Sequence, residues 1–369
     1  MTDCDDLLDA VRLLAPRLRA ASARIEADGK LPDDLFQDLA NTGIFKAHLP
    51  PRLGGRSARL SQLAPVIEEV SRADGSSGWL AYVGSEAGRQ VLRLPEEAAS
   101  TVTDEQHAFI AGMFTPGKSR AVAAPGGYRV TGHWHTCSGS LHANWIIGGT
   151  TVYDGDEPRI GNNGAPLQRL NFIPSEQVQI DTTWDVAGLR GTNSNDIHVS
   201  DIFVPEALGA YDVEPPDLGL HLMVPLGIAR GAMDEFIDLA NRGGPTRVRG
   251  TLHRDLPAVQ REVARAEAML RAARVYALDS LAEIDARVAT GEPTTPAQRD
   301  AFFMAASHAA RAALEVVDTL HRLSGTAGIF HSSRLLRCFL DVHVAVAHVS
   351  LQPINLESAG RSVLYDQQD

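Results

Sequence analysis

The chain is short of almost everything that marks a secreted, membrane-bound or nucleic-acid-binding protein. It has three cysteines, Cys4, Cys137 and Cys338, at no regular spacing. That is no disulfide framework, and it points to a reducing cytoplasm. No apolar run approaches the ~18 residues that a membrane span needs. The opening MTDCDDLLDA is acidic and polar, where a secretory signal would be basic and then apolar. Lys and Arg number 34 against 46 Asp and Glu, a formal net charge of −12. Such a balance argues against a phosphate backbone or an anionic membrane surface as partner. No G-x-G-x-x-G follows a strand pattern, so nothing suggests that the chain binds NAD(P)H itself. Aromatic residues are only 6%.

What is there falls into three textures, which predict three domains at 1–108, 109–216 and 217–369. The first is helical. Leu7, Leu8, Val11, Leu14 and Leu18 recur at the helical period, and Pro32-Asp33-Asp34 opens a second helix. In the second, glycines are dense and apolar runs are short. GYRVTGHW, ANWIIGGTTVY, RLNFIP and DIHVSDIFVP read as strands of a small barrel or sandwich. In the third, Val259, Val263, Ala266, Leu270, Ala273, Ala277, Leu281, Ile284 and Val288 alternate four and three. That spacing predicts a long bundle helix with an alanine-rich seam, suited to a private core or to tetramerisation. Thr295-Pro296 caps the next helix, and a last helix is expected to run through His343 and His348.

One stretch, HWHTCSGSLHANW (133–145), concentrates chemistry. His133 and His135 fall on one face of a strand. Cys137 and His142 are available to complete a four-ligand set of the zinc type.

Five motifs in order give the chain a resemblance to the acyl-CoA dehydrogenase superfamily, and within it to the two-component flavin-dependent monooxygenases. They are GIFKAHLPPRLGG (43–55), ADGSSGW (73–79), GGYRVTGHW (126–134), SGSLHANW (138–145) and WDVAGLRGTNSNDIHVSDIFVPE (184–206). The resemblance implies an α+β, mainly α fold: an N-terminal helical domain, a central small β domain and a C-terminal four-helix bundle. It implies a reduced flavin, FMN or FAD, delivered by a separate flavin reductase. It implies a small organic substrate and a homotetramer in which the loop Ser324 to Gly328 completes a partner's site. The 133–145 stretch then lies against the flavin ring, and no metal is expected there.

The same resemblance supplies candidate residues. Trp134, Ser138, Thr192 and Ser194 are expected to hold the flavin. Thr192 and Ser194 sit in a Gly-rich turn whose hydroxyls and N–H groups suit phosphate or ribityl oxygens, and Arg190 braces that turn. The dehydrogenases of the superfamily place a catalytic Glu about two turns beyond an Arg-Asp pair in the last long helix. Here Leu340-Asp341 stands for that pair, His348 falls at the Glu position, and no acid lies between Asp341 and Glu357. His343 and His348, five apart, match the monooxygenase pattern instead. An imidazole accepts a proton near neutral pH, and the resemblance implies that the loop hydroxyl of Ser138 donates to the flavin or to oxygen bound on it, so His348 and Ser138 are the expected catalytic pair. Many hydroxylases of this group carry a His about two turns after the Trp of the early helix motif. Counting from Trp79 gives Glu86-Ala87-Gly88, which points to a non-phenolic substrate. An acyl-thioester dehydrogenase or oxidase is the alternative activity, and a flavin-free scaffold of the same fold is the third.

Overall fold

The structure, a computed structural model, describes residues 3–104, 107–211, 218–242 and 251–365. Five helices come first. In α1 (Asp3–Asp28) the stripe Leu7, Val11, Leu14, Leu18, Ile25 is buried, as its three-and-four spacing dictates. The second, α2 (Asp33–Asn41), begins after Pro32 with Asp33 and Asp34 in its first turn. Next come α3 (Leu60–Ala73), α4 (Gly75–Arg89) and α5 (Glu96–Thr103). Helices α3 and α4 are broken apart by one extended residue, Asp74. Its carboxylate accepts from the Ser77 N–H at 2.8 Å and caps α4.

Nine strands follow among the described residues: β1 (Ile110–Met113), β2 (Arg120–Ala124), β3 (Gly127–Cys137), β4 (Trp145–Asp154), β5 (Glu157–Pro158), β6 (Gln168–Pro174), β7 (Gln179–Asp181), β8 (Asn195–Pro205) and β9 (Gly209–Tyr211). They form one mixed sheet in the order β7-β8-β3-β2-β4-β6-β9, with β1 and β5 also paired to β4. The sheet curls without closing its ladder. Tyr128 on β3 and Tyr211 on β9 lie four steps apart in that order, yet their hydroxyls meet at 2.8 Å. The fully buried Arg169 stands between their rings and donates to the carbonyls of Pro205 and Glu206. Burying this cation is tolerable because its donors meet carbonyls and its face meets aromatic rings.

The C-terminal helices are α6 (Met223–Arg242), α7 (Pro257–Ala289), α8 (Pro296–Ser324), α9 (Arg334–Ala345) and α10 (Asn355–Tyr365). Thr295 caps α8, accepting from the Gln298 N–H at 3.2 Å, with Pro296 in the first turn. Helices α6 to α9 form the bundle, and α10 packs on α8. Ala266, Ala273 and Ala277 are buried where α7 packs on α8. Of the two roles open to the alanine seam, the structure shows the private one: it packs α7 on α8 within this chain. A second expectation also changes. Helix α9 stops at Ala345, three residues before His348, because the His348 ring turns back to cap a short 3-10 turn at Val349–Leu351. One continuous apolar core runs through all three regions. Among the described residues, no helix is long and apolar enough to cross a membrane.

Candidate active site

A cavity of about 700 Å³ opens where α4, the ends of β1 and β3, the 184–194 loop and the α9 terminus meet. Trp79, Tyr82, Val83 and Glu86 line it from one face of α4, at the spacing that makes a helix face. Ser138, Thr192, Ser194 and His348 line it too. Four of the five residues expected from sequence therefore converge on one space, although they are up to 210 positions apart.

The fifth, Trp134, does not line it. Strand alternation points its indole into the sheet's interior, where Nε1 donates to the Gly149 carbonyl at 2.8 Å and 4% of the residue is exposed. A side chain on Gly132 or Gly148 would collide with that ring, so the two glycines are the slot it fills. Trp134 is a sheet-core residue, and the expectation that it touches the flavin is corrected. The motif located the strand correctly; which later side chains reach the cavity depends on a bulge just beyond Trp134. Thr136 has φ +61°, the β3–β8 register shifts between Trp134 and Cys137, and His135 and Thr136 both point outward. The bulge turns the chain so that Thr136 and Ser138, rather than Trp134, reach the cavity.

The hydroxyls form a chain with a definite direction. Thr192 Oγ1 donates its one proton to the Leu189 carbonyl at 2.8 Å. It lies 2.7 Å from Ser194 Oγ and so must accept there. Ser194 has then spent its proton, and it accepts from Ser138 Oγ at 2.7 Å. Ser138 in turn accepts from the Trp79 indole N–H at 3.0 Å. Each hydroxyl has one proton and two lone pairs. Ser138 therefore faces the cavity as an acceptor, which reverses the expectation that its hydroxyl donates to the flavin. The two loops that carry these groups are laced together. Gly139 N donates to the Thr192 carbonyl at 2.8 Å, and Leu141 N donates to Asn193 Oδ1 at 3.0 Å.

Asp341 holds the end of this chain. Its Oδ1 accepts the Leu189 N–H at 2.6 Å. Leu189 has φ +50°, strained for a branched residue. Any side chain on Gly188 would strike the Leu340 carbonyl, so only glycine lets the loop come this close to α9. Burial, with the neighbouring Asp74 carboxylate, pushes the Asp341 carboxyl up to about 8. Arg190 braces the same loop, donating to the carbonyls of Val186 and Glu26.

His348 Nδ1 accepts from the Ser350 N–H at 3.3 Å, so a neutral ring carries its proton on Nε2. The ring meets the Trp79 indole edge-on, centroids 5.6 Å apart. Burial holds its pKa below the ordinary imidazole value. His343 lies away from the cavity, with Nδ1 on the Phe339 carbonyl. The four proposed metal ligands do not converge. His133 and His135 are exposed beside Asp196, with candidate ligand atoms within 4.8 Å of one another. Cys137 points the other way and is fully buried. His142 is stacked on Phe36 at 4.0 Å. Sequence reasoning used Trp79 only as a landmark and Glu86 only as the absence of a His. The three-and-four spacing of 79, 82, 83 and 86 was the signal that both share a face.

Two family models match the chain: the acyl-CoA dehydrogenase N-terminal domain over residues 3–99 and the acyl-CoA dehydrogenase C-terminal domain over residues 220–353. The indole-3-acetate monooxygenase of Pseudomonas putida is 31% identical, over 96% of this chain and 91% of its own length. The chain belongs to the flavin-dependent monooxygenases of the acyl-CoA dehydrogenase superfamily. The oxygenase subunit HsaA of Rhodococcus jostii, a flavin-dependent monooxygenase, is 26% identical over 92% of this chain and 93% of its own. In structure, XiaF from Streptomyces sp., solved with FADH2 and glycerol, matches with a TM-score of 0.87 at 21% identity, over 98% of this chain and 95% of that one.

The cofactor of this monooxygenase is a reduced flavin. The cavity walls fit such a ring. They are mainly apolar, with a line of hydroxyl lone pairs from Ser138, Ser194 and Thr192 along one side. A flat heteroaromatic ring with N–H donors at its edge is complementary to that arrangement.

Proposed function

We propose that this monooxygenase takes its reduced FMN or FAD from a separate flavin reductase and oxygenates a small aromatic substrate. The observation that carries the reading is the one-way hydroxyl chain that leaves Ser138 an acceptor in the wall of an apolar cavity that also holds His348. Bound reduced flavin supplies two electrons, so that one atom of O2 enters the substrate and the other leaves as water. Ser138, Ser194 and Thr192 hold the ring edge by accepting from its N–H groups. The Trp79 N–H fixes the Ser138 oxygen, and Asp341 fixes the loop. His348 is the proton-transfer residue. Its ring is neutral at pH 7, ready to take a proton once the weak Ser350 bond yields. The apolar walls keep water from the reacting atoms.

HsaA is an oxygenase subunit, which supports a reductase partner, and the Pseudomonas relative's indole-3-acetate supports an aromatic substrate. The reading includes a cytoplasmic homotetramer with no resident metal. Ile329 and Phe330, both about 60% exposed beside the loop Ser324 to Gly328, support burial by another copy. The test is to mix the purified chain with NADH, oxidised flavin, O2 and indole-3-acetate. Turnover is expected only after a flavin reductase is added. Appreciable turnover without any reductase overturns the reading.

A further inference from the structure

The outer face of the β domain carries a side-chain cluster that the flavin cavity does not absorb. The sequence offers His133, His135, Cys137 and His142 as one ligand set, and the fold divides it. Cys137 and His142 turn inward. His133 and His135 stay together on the open face, their rings 4.5 Å apart. Strand β8 supplies what they lack. Trp134 pairs with Ile197 and Cys137 with Asn195, so Asp196 alone faces the two bulged residues, His135 and Thr136. Asp196 Oδ2 stands 2.6 Å from His135 Nδ1 and 3.6 Å from His133 Nε2. The three candidate ligand atoms all lie within 4.8 Å of one another.

The two imidazoles are open to solvent, with 52% and 71% of their side chains exposed, so an ion can reach them directly. The carboxylate is the ordered member. Its Oδ1 accepts the Thr136 N–H at 3.2 Å, and its own backbone N–H donates to Thr183 Oγ1 at 3.0 Å. Oδ2 is thereby aimed at the histidines, and outer contacts of this kind are what orient a metal ligand. Ligand atoms about 2.0–2.2 Å from a zinc-type ion stand roughly 3–3.6 Å from one another. The separations of 2.6 and 3.6 Å are close to that spacing, and rotation of the exposed rings closes the rest. His198, the next imidazole on this face, is 6.1 Å ring to ring from His133, and its Nδ1 is engaged by Asp181 at 3.1 Å. The remaining coordination positions fall to water.

We propose that His133, His135 and Asp196 form an exchangeable site for a divalent first-row transition cation of the zinc, nickel or cobalt class. Imidazole ligands favour these ions over Mg2+ and Ca2+, which take oxygen. On binding, the proton that His135 Nδ1 shares with Asp196 leaves to solvent. The cation comes and goes with its supply, so none is resident, and it takes no part in the flavin chemistry. The site is nevertheless joined to the cavity through the backbone. Asp196 pins the N–H of Thr136, the left-handed residue whose turn brings Thr136 and Ser138 to the cavity. A cation held by Asp196 therefore stiffens the bulge.

The test uses the full chain without a polyhistidine tag, dialysed against chelator and titrated calorimetrically with Zn2+, Ni2+ and Co2+. One cation per chain is expected, undisturbed by excess Mg2+ or Ca2+. His133→Ala, His135→Ala and Asp196→Asn should each weaken it by at least about tenfold. His343→Ala, which removes an imidazole elsewhere, should leave it unchanged. Bound cation should raise the melting temperature of the wild type more than that of His135→Ala, and it should slow amide exchange at Thr136. A chain that takes up no cation, or binding that persists unchanged in both histidine variants, overturns the site. If Asp196→Asn does not fold, the two histidine variants decide the matter, since their side chains are exposed. Unchanged exchange at Thr136 with the cation bound refutes only the link to the bulge.

Discussion

Two polar clusters beside the cavity are built on opposite principles. Along the 138–142 and 189–195 loops each hydroxyl proton has a destination, and the chain from Trp79 to the Leu189 carbonyl runs one way. Behind α4, by contrast, Glu86 Oε1 and His48 Nε2 lie 3.9 Å apart, each buried without a hydrogen-bond partner. A satisfied network is stiff, and it suits a ring that must sit in one place. An unsatisfied pair stores the cost of an unmade bond, roughly 1–3 kcal/mol.

The largest expected effect tests whether the chemistry lies beside the satisfied cluster. His348→Ala should lower substrate turnover by about 10²–10⁴-fold, the usual worth of a positioned proton-transfer group. Flavin binding should stay near the wild type, since the hydroxyl wall is untouched. Steady-state kinetics with a reductase would show it, and unchanged turnover would make His348 structural.

The next breaks the satisfied wall at its anchor. Asp341→Ala leaves the Leu189 N–H buried without an acceptor, so unfolding in urea should show a loss of about 1–3 kcal/mol. Asp341→Asn keeps an acceptor and should lose less, but it should change the response to pH. The folded Asp341 holds its proton up to about 8, well above the ordinary carboxylate range, so between about pH 4 and 8 the fold binds more protons than the unfolded chain and stability falls as pH rises through that window. His142, held down to about 4, His221 and His348 are buried neutral and act in the opposite sense. Below about pH 6.5 the unfolded chain binds more protons at these rings, so stability rises with pH there. Each fully titrating group contributes up to about 1.4 kcal/mol per pH unit. A melting-temperature curve should therefore peak near neutrality, and Asp341→Asn should steepen the rise on its acid side and flatten the fall up to about pH 8. A curve unchanged in that variant would remove Asp341 from the account.

The smallest effect sharpens the comparison within the satisfied wall. Ser138→Ala deletes one acceptor and should raise hydrogen peroxide release relative to product by about two- to tenfold, the worth of one neutral hydrogen bond. Oxygen-electrode measurements with and without catalase read it directly. Wild-type coupling in this variant would mean that Ser138 only caps its turn.

Much of the fold was legible in the chain. The α1 stripe, the long α7, the Thr295 cap and the strand-rich middle follow from residue spacing, because helix and strand periods are local properties. The motif order supplied the family, and with it Ser138, Thr192, Ser194 and His348 as one site. Two expectations failed for non-local reasons, and one stayed open between two outcomes. The Trp134 motif fixed a strand, but the bulge at Thr136 decided which side chain turns to the cavity. The alanine seam of α7 is the same pattern whether its partner is α8 or another copy. The helical spacing up to His348 did not reveal that its ring would cap a new turn. Sequence alone thus determined the elements and the chemistry they carry, since both follow from residue type and spacing along the chain. The direction of the hydroxyl chain, Asp341's grip on Leu189 and the orphaned Glu86 oxygen were decided only by the tertiary structure. Each depends on which atoms from distant segments lie within hydrogen-bond reach, and no local pattern records that.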